Sequence, residues 1–118
     1  MKADDPFDAI DRLGTLRDGW DSYGAAPIEQ ASREQAKRCL SEVQRLLGVT
    51  YARPVVGPTP EAGVALVWRS PRGGELDALF SPRGARFVVL GPKRLVVHQG
   101  PITDYQEFAR EVVKRFVA

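Results

Sequence analysis

A chain of 118 residues, 43% hydrophobic and 27% charged, has room for one compact domain over residues 1–118 and a globular composition, which excludes a disordered or collagen-like chain. The net charge of +2 conceals an uneven spread of −4 over residues 1–30, +6 over 31–102 and zero over the last sixteen, a dipolar pattern suited to self-association or to a partner of mixed charge. One cysteine, Cys39, and one histidine, His98, exclude an internal disulfide and a Cys/His zinc site within a single chain.

The opening Met1-Lys2-Ala3-Asp4-Asp5-Pro6 turns acidic where a secretory signal carries an apolar core, and no apolar run approaches the roughly 20 residues that span a bilayer, so a cytoplasmic protein without membrane contact is expected. Asp5 is placed to cap a first helix that opens at Pro6, carries Phe7, Ile10 and Leu13 on one side and stops before Gly19. The stretch Trp20-Asp21-Ser22-Tyr23-Gly24-Ala25-Ala26-Pro27 is too short and aperiodic for an element and reads as an ordered loop. From Ile28 to Leu47 the apolar set Ile28, Ala31, Ala36, Cys39, Leu40, Val43, Leu46 and Leu47 follows helical spacing, with Gly48 at the C-terminal stop.

Beyond that helix, prolines and glycines punctuate short runs of Val, Leu and Phe, which predicts five strands near residues 54–58, 63–69, 75–80, 86–90 and 94–98 joined into an antiparallel meander. Pro54 and Pro58 cannot donate ladder hydrogen bonds and assign the first strand to a sheet edge. Ser-Pro-Arg-Gly occurs at 70–73 and again at 81–84, both times at a predicted hairpin turn, so it reads as turn chemistry and not as a repeat. Thr103 with Gln106 has the capping-box pattern, opening a final helix whose Tyr105, Phe108, Ala109, Val112, Val113 and Phe116 form an apolar stripe. The whole reads as an α+β domain, a five-stranded antiparallel meander with helices packed on one face.

No catalytic signature stands out. His98 has no sequence neighbour that marks it as a general base, Cys39 sits on the apolar side of its helix, and paired acids such as Asp4/Asp5 or Glu75/Asp77 read as capping and as a solvated strand face. Neither a G-x-G-x-x-G nor a Walker pattern occurs, so no cofactor, metal or enzymatic activity is expected. Strand alternation sends Val64, Leu66, Trp68, Leu76, Ala78, Phe80, Leu95 and Val97 toward the helices, and Ala65, Val67, Arg69, Glu75, Asp77, Leu79, Arg94, Val96 and His98 to the other side. On that second face Val67, Leu79 and Val96 form an apolar centre ringed by Arg69, Asp77, Arg94 and His98, the make-up of a contact patch for another protein or for a second copy. For residues 86–90 the alternatives Phe87/Val89 and Val88/Leu90 are equally apolar. Trp20 and Tyr23 in the aromatic loop have two readings, packing that locks a crossing of helices and exposed anchors for a partner, which solvent exposure of the rings separates. Nucleic acid is the alternative partner: thirteen arginines supply phosphate forks, but the basic turns fall at opposite ends of a meander and no stacking aromatics reach the open face. A small enzyme with an unrecognised site is the third reading.

The stretches Gly19-Trp20-Asp21-Ser22-Tyr23-Gly24-Ala25-Ala26-Pro27 and, after the long helix, Pro58-Thr59-Pro60-Glu61-Ala62-Gly63-Val64-Ala65-Leu66-Val67-Trp68 resemble a group of small, largely uncharacterised bacterial proteins. These share G-W-D-x-Y-G-A-x-P followed by P-T-P-x-x-G-x-x-L-x-W. The likeness covers residues 7 to 80 and implies a bacterial origin, with a partner-binding or neutralising role beside toxin–antitoxin or defence systems. It brings no catalytic residue, and where related sequences tend to place an acid beside the second Trp, Val67 stands here.

Overall fold

The computed structural model describes residues 5–48 and 53–117; the expected pairing of Asp4 with Asp5 therefore lies partly outside the described residues. Asp5 caps the first helix as its sequence position implies: Oδ1 accepts from the Phe7 N–H at 2.8 Å, and Pro6 occupies the first turn, where a missing N–H costs nothing. Helix α1 (Pro6–Arg12) ends in a 3₁₀ turn, Leu13–Thr15. Helix α2 (Gln30–Leu47) buries Ser32, Ala36, Cys39, Leu40 and Val43, while Ile28 is buried just before it begins. Ala31 and Leu46, counted in its stripe from spacing, are exposed.

The strands are β1 (Val55–Thr59), β2 (Gly63–Arg69), β3 (Glu75–Ser81), β4 (Gly84–Leu90) and β5 (Val96–Pro101), paired antiparallel in sequence order with β1 and β5 as edges. Both Ser-Pro-Arg-Gly segments are hairpin turns. Ser70 Oγ accepts from the Arg72 N–H at 3.1 Å and Ser81 Oγ from the Arg83 N–H at 3.2 Å, so each serine holds the bend that its proline and glycine permit. Gly63 follows the β1–β2 turn where no side chain fits: a Cβ there would clash with the Phe80 carbonyl oxygen.

The last strand departs from expectation. Arg94 adopts left-handed backbone (φ 65°) in a turn closed by the Arg94 N–H on the Gly91 oxygen and the Gly91 N–H on the Leu95 oxygen, both at 2.9 Å. That conformation cannot continue a strand, so β5 starts at Val96, two residues later than predicted. A bulge follows: Leu90 pairs with Val96 but Val89 pairs with His98, leaving Val97 as the extra residue. Leu95 and Val97, expected to face the helices, are 67% and 65% exposed.

After β5, Asp104 and not Thr103 caps the final helix, its Oδ1 accepting from the Gln106 and Glu107 N–H groups at 2.9 and 3.1 Å. Either residue has the chemistry of a cap, and the backbone turns helical one residue later than the capping-box spacing suggests. The segment runs as α3 (Tyr105–Phe108), a π-helical turn (Ala109–Val113) and α4 (Lys114–Val117). Its Phe108, Ala109 and Val113 enter a single core with Ile10, α2 and one sheet face, that of Val64, Leu66, Trp68, Leu76, Ala78, Phe80 and Phe87. Phe108 stacks obliquely on Phe87 and Trp68, and Tyr105 meets Phe80 edge-on at 6.4 Å. This is an α+β fold with the helices on one side of the sheet. Among the described residues no helix is long and apolar enough to cross a membrane.

Candidate functional site: the open sheet face

Register decides what lies on the side away from the helices. The pairings place Val55, Val67, Asp77, Val88 and Gln99 in one row across the sheet, and Arg69, Glu75, Leu90 and Val96 in the next. A third row carries Gly57, Ala65, Leu79, Arg86 and Pro101. This resolves residues 86–90: Phe87 and Val89 face the helices, Val88 and Leu90 the open side. Val67, Leu79, Val88 and Leu90 are only half-buried, and Val96 is 53% exposed. None of them joins the helix-covered core.

Charge is concentrated at one end of this face. Arg69 and Glu75 flank the β2–β3 hairpin and are direct cross-strand partners. Glu75 is buried, its Oε1 3.3 Å from Arg69 Nη1 and accepting from Arg94 Nη1 at 3.0 Å. The left-handed turn that delays β5 thus returns the Arg94 guanidinium over the sheet. Asp77 follows Glu75 on the same face, with Oδ1 buried and unpartnered. Burial, then the hydrogen bond and charge of Glu75, push the Asp77 carboxyl up to about 6 against the opposing pull of Arg94 and Arg69. For Glu75, burial works against the ionised form. The hydrogen bonds from Asp77 and Arg94, with the charges of Arg94 and Arg69, prevail and hold it below the usual carboxylate range. Of the two neighbouring carboxyls, Glu75 is thus the stronger acid and Asp77 the weaker.

Of the residues expected on this surface, the structure groups Val67, Arg69, Asp77, Leu79, Arg94 and Val96. His98 is a correction. The bulge at Val97 shifts the alternation by one, so His98 pairs with Val89 on the helix-bearing side, and its ring meets buried Phe87 at a centroid distance of 4.9 Å. Glu75, also expected on this side but read as part of a solvated face, proves buried, and Val88 and Leu90 are additional members. The Arg69/Glu75 pairing had a sequence signal, two opposite charges flanking a five-residue turn segment, whereas Val88 and Leu90 had none that separated them from Phe87 and Val89.

The aromatic loop divides into two roles. Asp21 Oδ1 accepts from the Tyr23 and Ala25 N–H groups at 2.8 and 3.0 Å, and Gly19 N–H donates to the Ala25 oxygen at 2.8 Å, closing the loop on itself. Trp20 is half-buried against the core and donates Nε1–H to the Ala26 oxygen at 2.8 Å, so it is a packing residue. Tyr23 is 92% exposed. The Ala26 and Glu29 N–H groups donate to the Pro60 and Ala62 oxygens, tying the loop to the β1–β2 turn, at the end of β2 opposite Arg69. The Trp20/Tyr23 loop and the Arg69/Asp77/Arg94 cluster are thus two separate places.

An open cleft of about 420 Å³ lies at the β3–β4 hairpin end of the sheet, the same end as the β1–β2 turn, lined by Thr59, Glu61, Leu79, Ser81, Arg83 and Arg86 among others. Among the described residues no group of three His, Cys, Asp or Glu side chains is placed to hold a metal ion. Cys39 is fully buried, and burial, then the nearby Glu42 charge, push its thiol up to about 12, which keeps it protonated and unreactive. Comparison with known proteins adds no relative: no protein-family model matches the chain, and neither a curated protein nor a solved structure matches it.

Proposed function

We propose that the protein acts by binding another protein through the open sheet face, as an accessory or neutralising subunit of a bacterial system and not as an enzyme. The observation that carries this reading is the face itself. Half-buried Val67, Leu79, Val88 and Leu90 lie under no helix and are bordered by Arg69, Arg86 and Arg94. Apolar residues at the centre with arginines at the rim are what protein interfaces collect. Arg69, Arg86 and Arg94 outnumber Glu75 and Asp77, so the face is net positive. The fitting partner presents an apolar ridge with an acidic border. Tyr23, held outward by a loop fixed on Asp21, supplies a second and distant contact.

The test is capture from the host of origin with the wild-type protein and with Leu79→Asp, followed by purification of the captured protein and titration against both. The reading expects binding about tenfold weaker or more for Leu79→Asp, the loss that a charge set into an interface centre brings. Equal affinity for both baits removes the sheet face from the mechanism. Material that is released by nuclease, and whose retention falls steeply with salt, moves the assignment to nucleic acid.

A further inference from the structure

The β5 edge carries a second, independent interaction. Edge strands are ordinarily guarded by charge, proline, a bulge or a covering element. Strand β5 has no Asp, Glu, Lys or Arg, and its one proline, Pro101, is its last residue. Val96, Val97, His98 and Gln99 are all exposed, as is Leu95 before them. Only the bulge at Val97 interrupts the edge. The Ile102 N–H donates to the Ala85 oxygen at 2.9 Å. Antiparallel alternation then turns Gly100 and His98 inward to β4 and the N–H and C=O of Gln99 outward.

We infer that β5 pairs antiparallel with β5 of a second copy about a two-fold axis at Gln99, joining the two sheets edge to edge. Centred there, each Gln99 exchanges both backbone hydrogen bonds with its counterpart, and Val97 lies opposite Pro101 of the second copy. The choice of a second copy as occupant rests on charge. Antiparallel pairing brings Lys93, which precedes the strand, toward Asp104 and Glu107 of the other copy, which follow it, while Arg94 stays on Glu75 of its own chain. The match occurs twice by symmetry. Shape agrees: next to the end of β5 lies a hollow of about 80 Å³ with Phe87, Ile102 and Phe108 in its lining and Asp104, Glu107 and Glu111 as its acids. In this register Leu95 of the second copy, 67% exposed, arrives opposite Thr103 at the border of that hollow. The two open faces would then form one platform, although this pairing does not depend on what the faces bind.

Sedimentation equilibrium on the purified protein is expected to show a monomer–dimer equilibrium. Lys93→Glu and Glu107→Lys are each expected to weaken it about tenfold, two exposed ion pairs being lost per dimer, and Lys93→Glu/Glu107→Lys to restore most of the affinity. A cysteine at a two-fold axis meets its own copy, and the spacing of a hydrogen-bonded antiparallel pair, about 5.5 Å, suits a disulfide. Gln99→Cys is therefore expected to cross-link under mild oxidation and Tyr23→Cys not to, with circular dichroism showing that each variant folds. A wild-type protein that stays monomeric at its highest soluble concentration overturns the inference. So does a dimer in which Gln99→Cys cross-links no faster than Tyr23→Cys. Leu79→Asp, which removes the sheet-face contact, is expected to leave the dimer mass unchanged, so failure of one proposal is visible separately from failure of the other.

Discussion

The two edges of the sheet solve the same problem in opposite ways. Strand β1 carries Pro58, follows Pro54, and has α1 packed against it, so its free backbone groups are few and partly screened. Strand β5 leans on β4, shows an uncharged and largely apolar border, and keeps its proline for the last position. Both edges are built from short strands of similar length, so length does not separate them. What separates them is which backbone donors survive and what lies over them. An unguarded edge is an aggregation hazard unless something pairs with it, and this contrast makes the β5 side the one with an interaction to explain.

The largest expected effect acts on both edges together. Phe80 is fully buried in the middle of the sheet against Tyr105, and Phe80→Ala is expected to cost about 3–5 kcal/mol, read as a fall in the urea midpoint. A uniform loss of amide protection from β1 to β5 is the outcome expected of a shared core. Gly63→Ala acts on the β1 side alone. Its Cβ meets the Phe80 carbonyl oxygen and Thr59 Oγ1, so a loss of roughly 1–3 kcal/mol is expected, with β1 and β2 amides exchanging faster and β5 amides unchanged. A stable Gly63→Ala protein would show that the β1–β2 hairpin yields more easily than its contacts indicate.

On the β5 side, Arg94 combines a favourable contact with an unfavourable backbone. Arg94→Ala leaves buried Glu75 with Arg69 as its one remaining arginine and is expected to cost roughly 1–2 kcal/mol, as for a lost hydrogen bond to a charged group. Arg94→Gly loses the same contact but relieves the left-handed residue, so it is expected to be about 1 kcal/mol more stable than Arg94→Ala. Equal stability of the two variants would place the strain elsewhere in the turn.

The last effect is a pH dependence. In the unfolded chain Asp77 ionises near its ordinary 3.8, whereas in the fold it does so at about 6. Across that interval the folded protein retains a proton that the unfolded chain has lost, so Asp77 makes stability decline as pH rises. Asp77→Asn is expected to flatten that segment of the curve. Glu75 has the opposite sign: its lowered value contributes stability above the ordinary carboxylate range, which is lost as pH falls through its folded value. A carboxyl signal of Asp77 with a midpoint near 6, moving higher in Arg94→Ala, checks the assignment by NMR.

Much of this architecture was legible before any coordinates, because it rests on local chemistry. Asp5 before Pro6, the period of Ile10 and of Ala36 through Val43, and the Ser-Pro-Arg-Gly bends each act over a few residues, and the structure places them as their types require. Alternation in β2 and β3 likewise assigned Val67, Asp77 and Leu79 to the uncovered side, since a regular strand has period two. That period failed at Val97, where one bulged residue turned His98 to the helix side and left Val96 with Leu90. Nothing in the residue types around Val97 announces a bulge; it follows from the left-handed turn at Arg94 and from how β4 and β5 fit together. The same holds for Trp20 and Tyr23, alike in composition and three residues apart, one packed on the core and the other 92% exposed. Element identity and the inward face of the central strands belonged to the chain's local propensities. Exposure, the burial of Glu75 between two arginines and the openness of one edge arose only when distant segments met, because they depend on contacts that no stretch of a few residues contains.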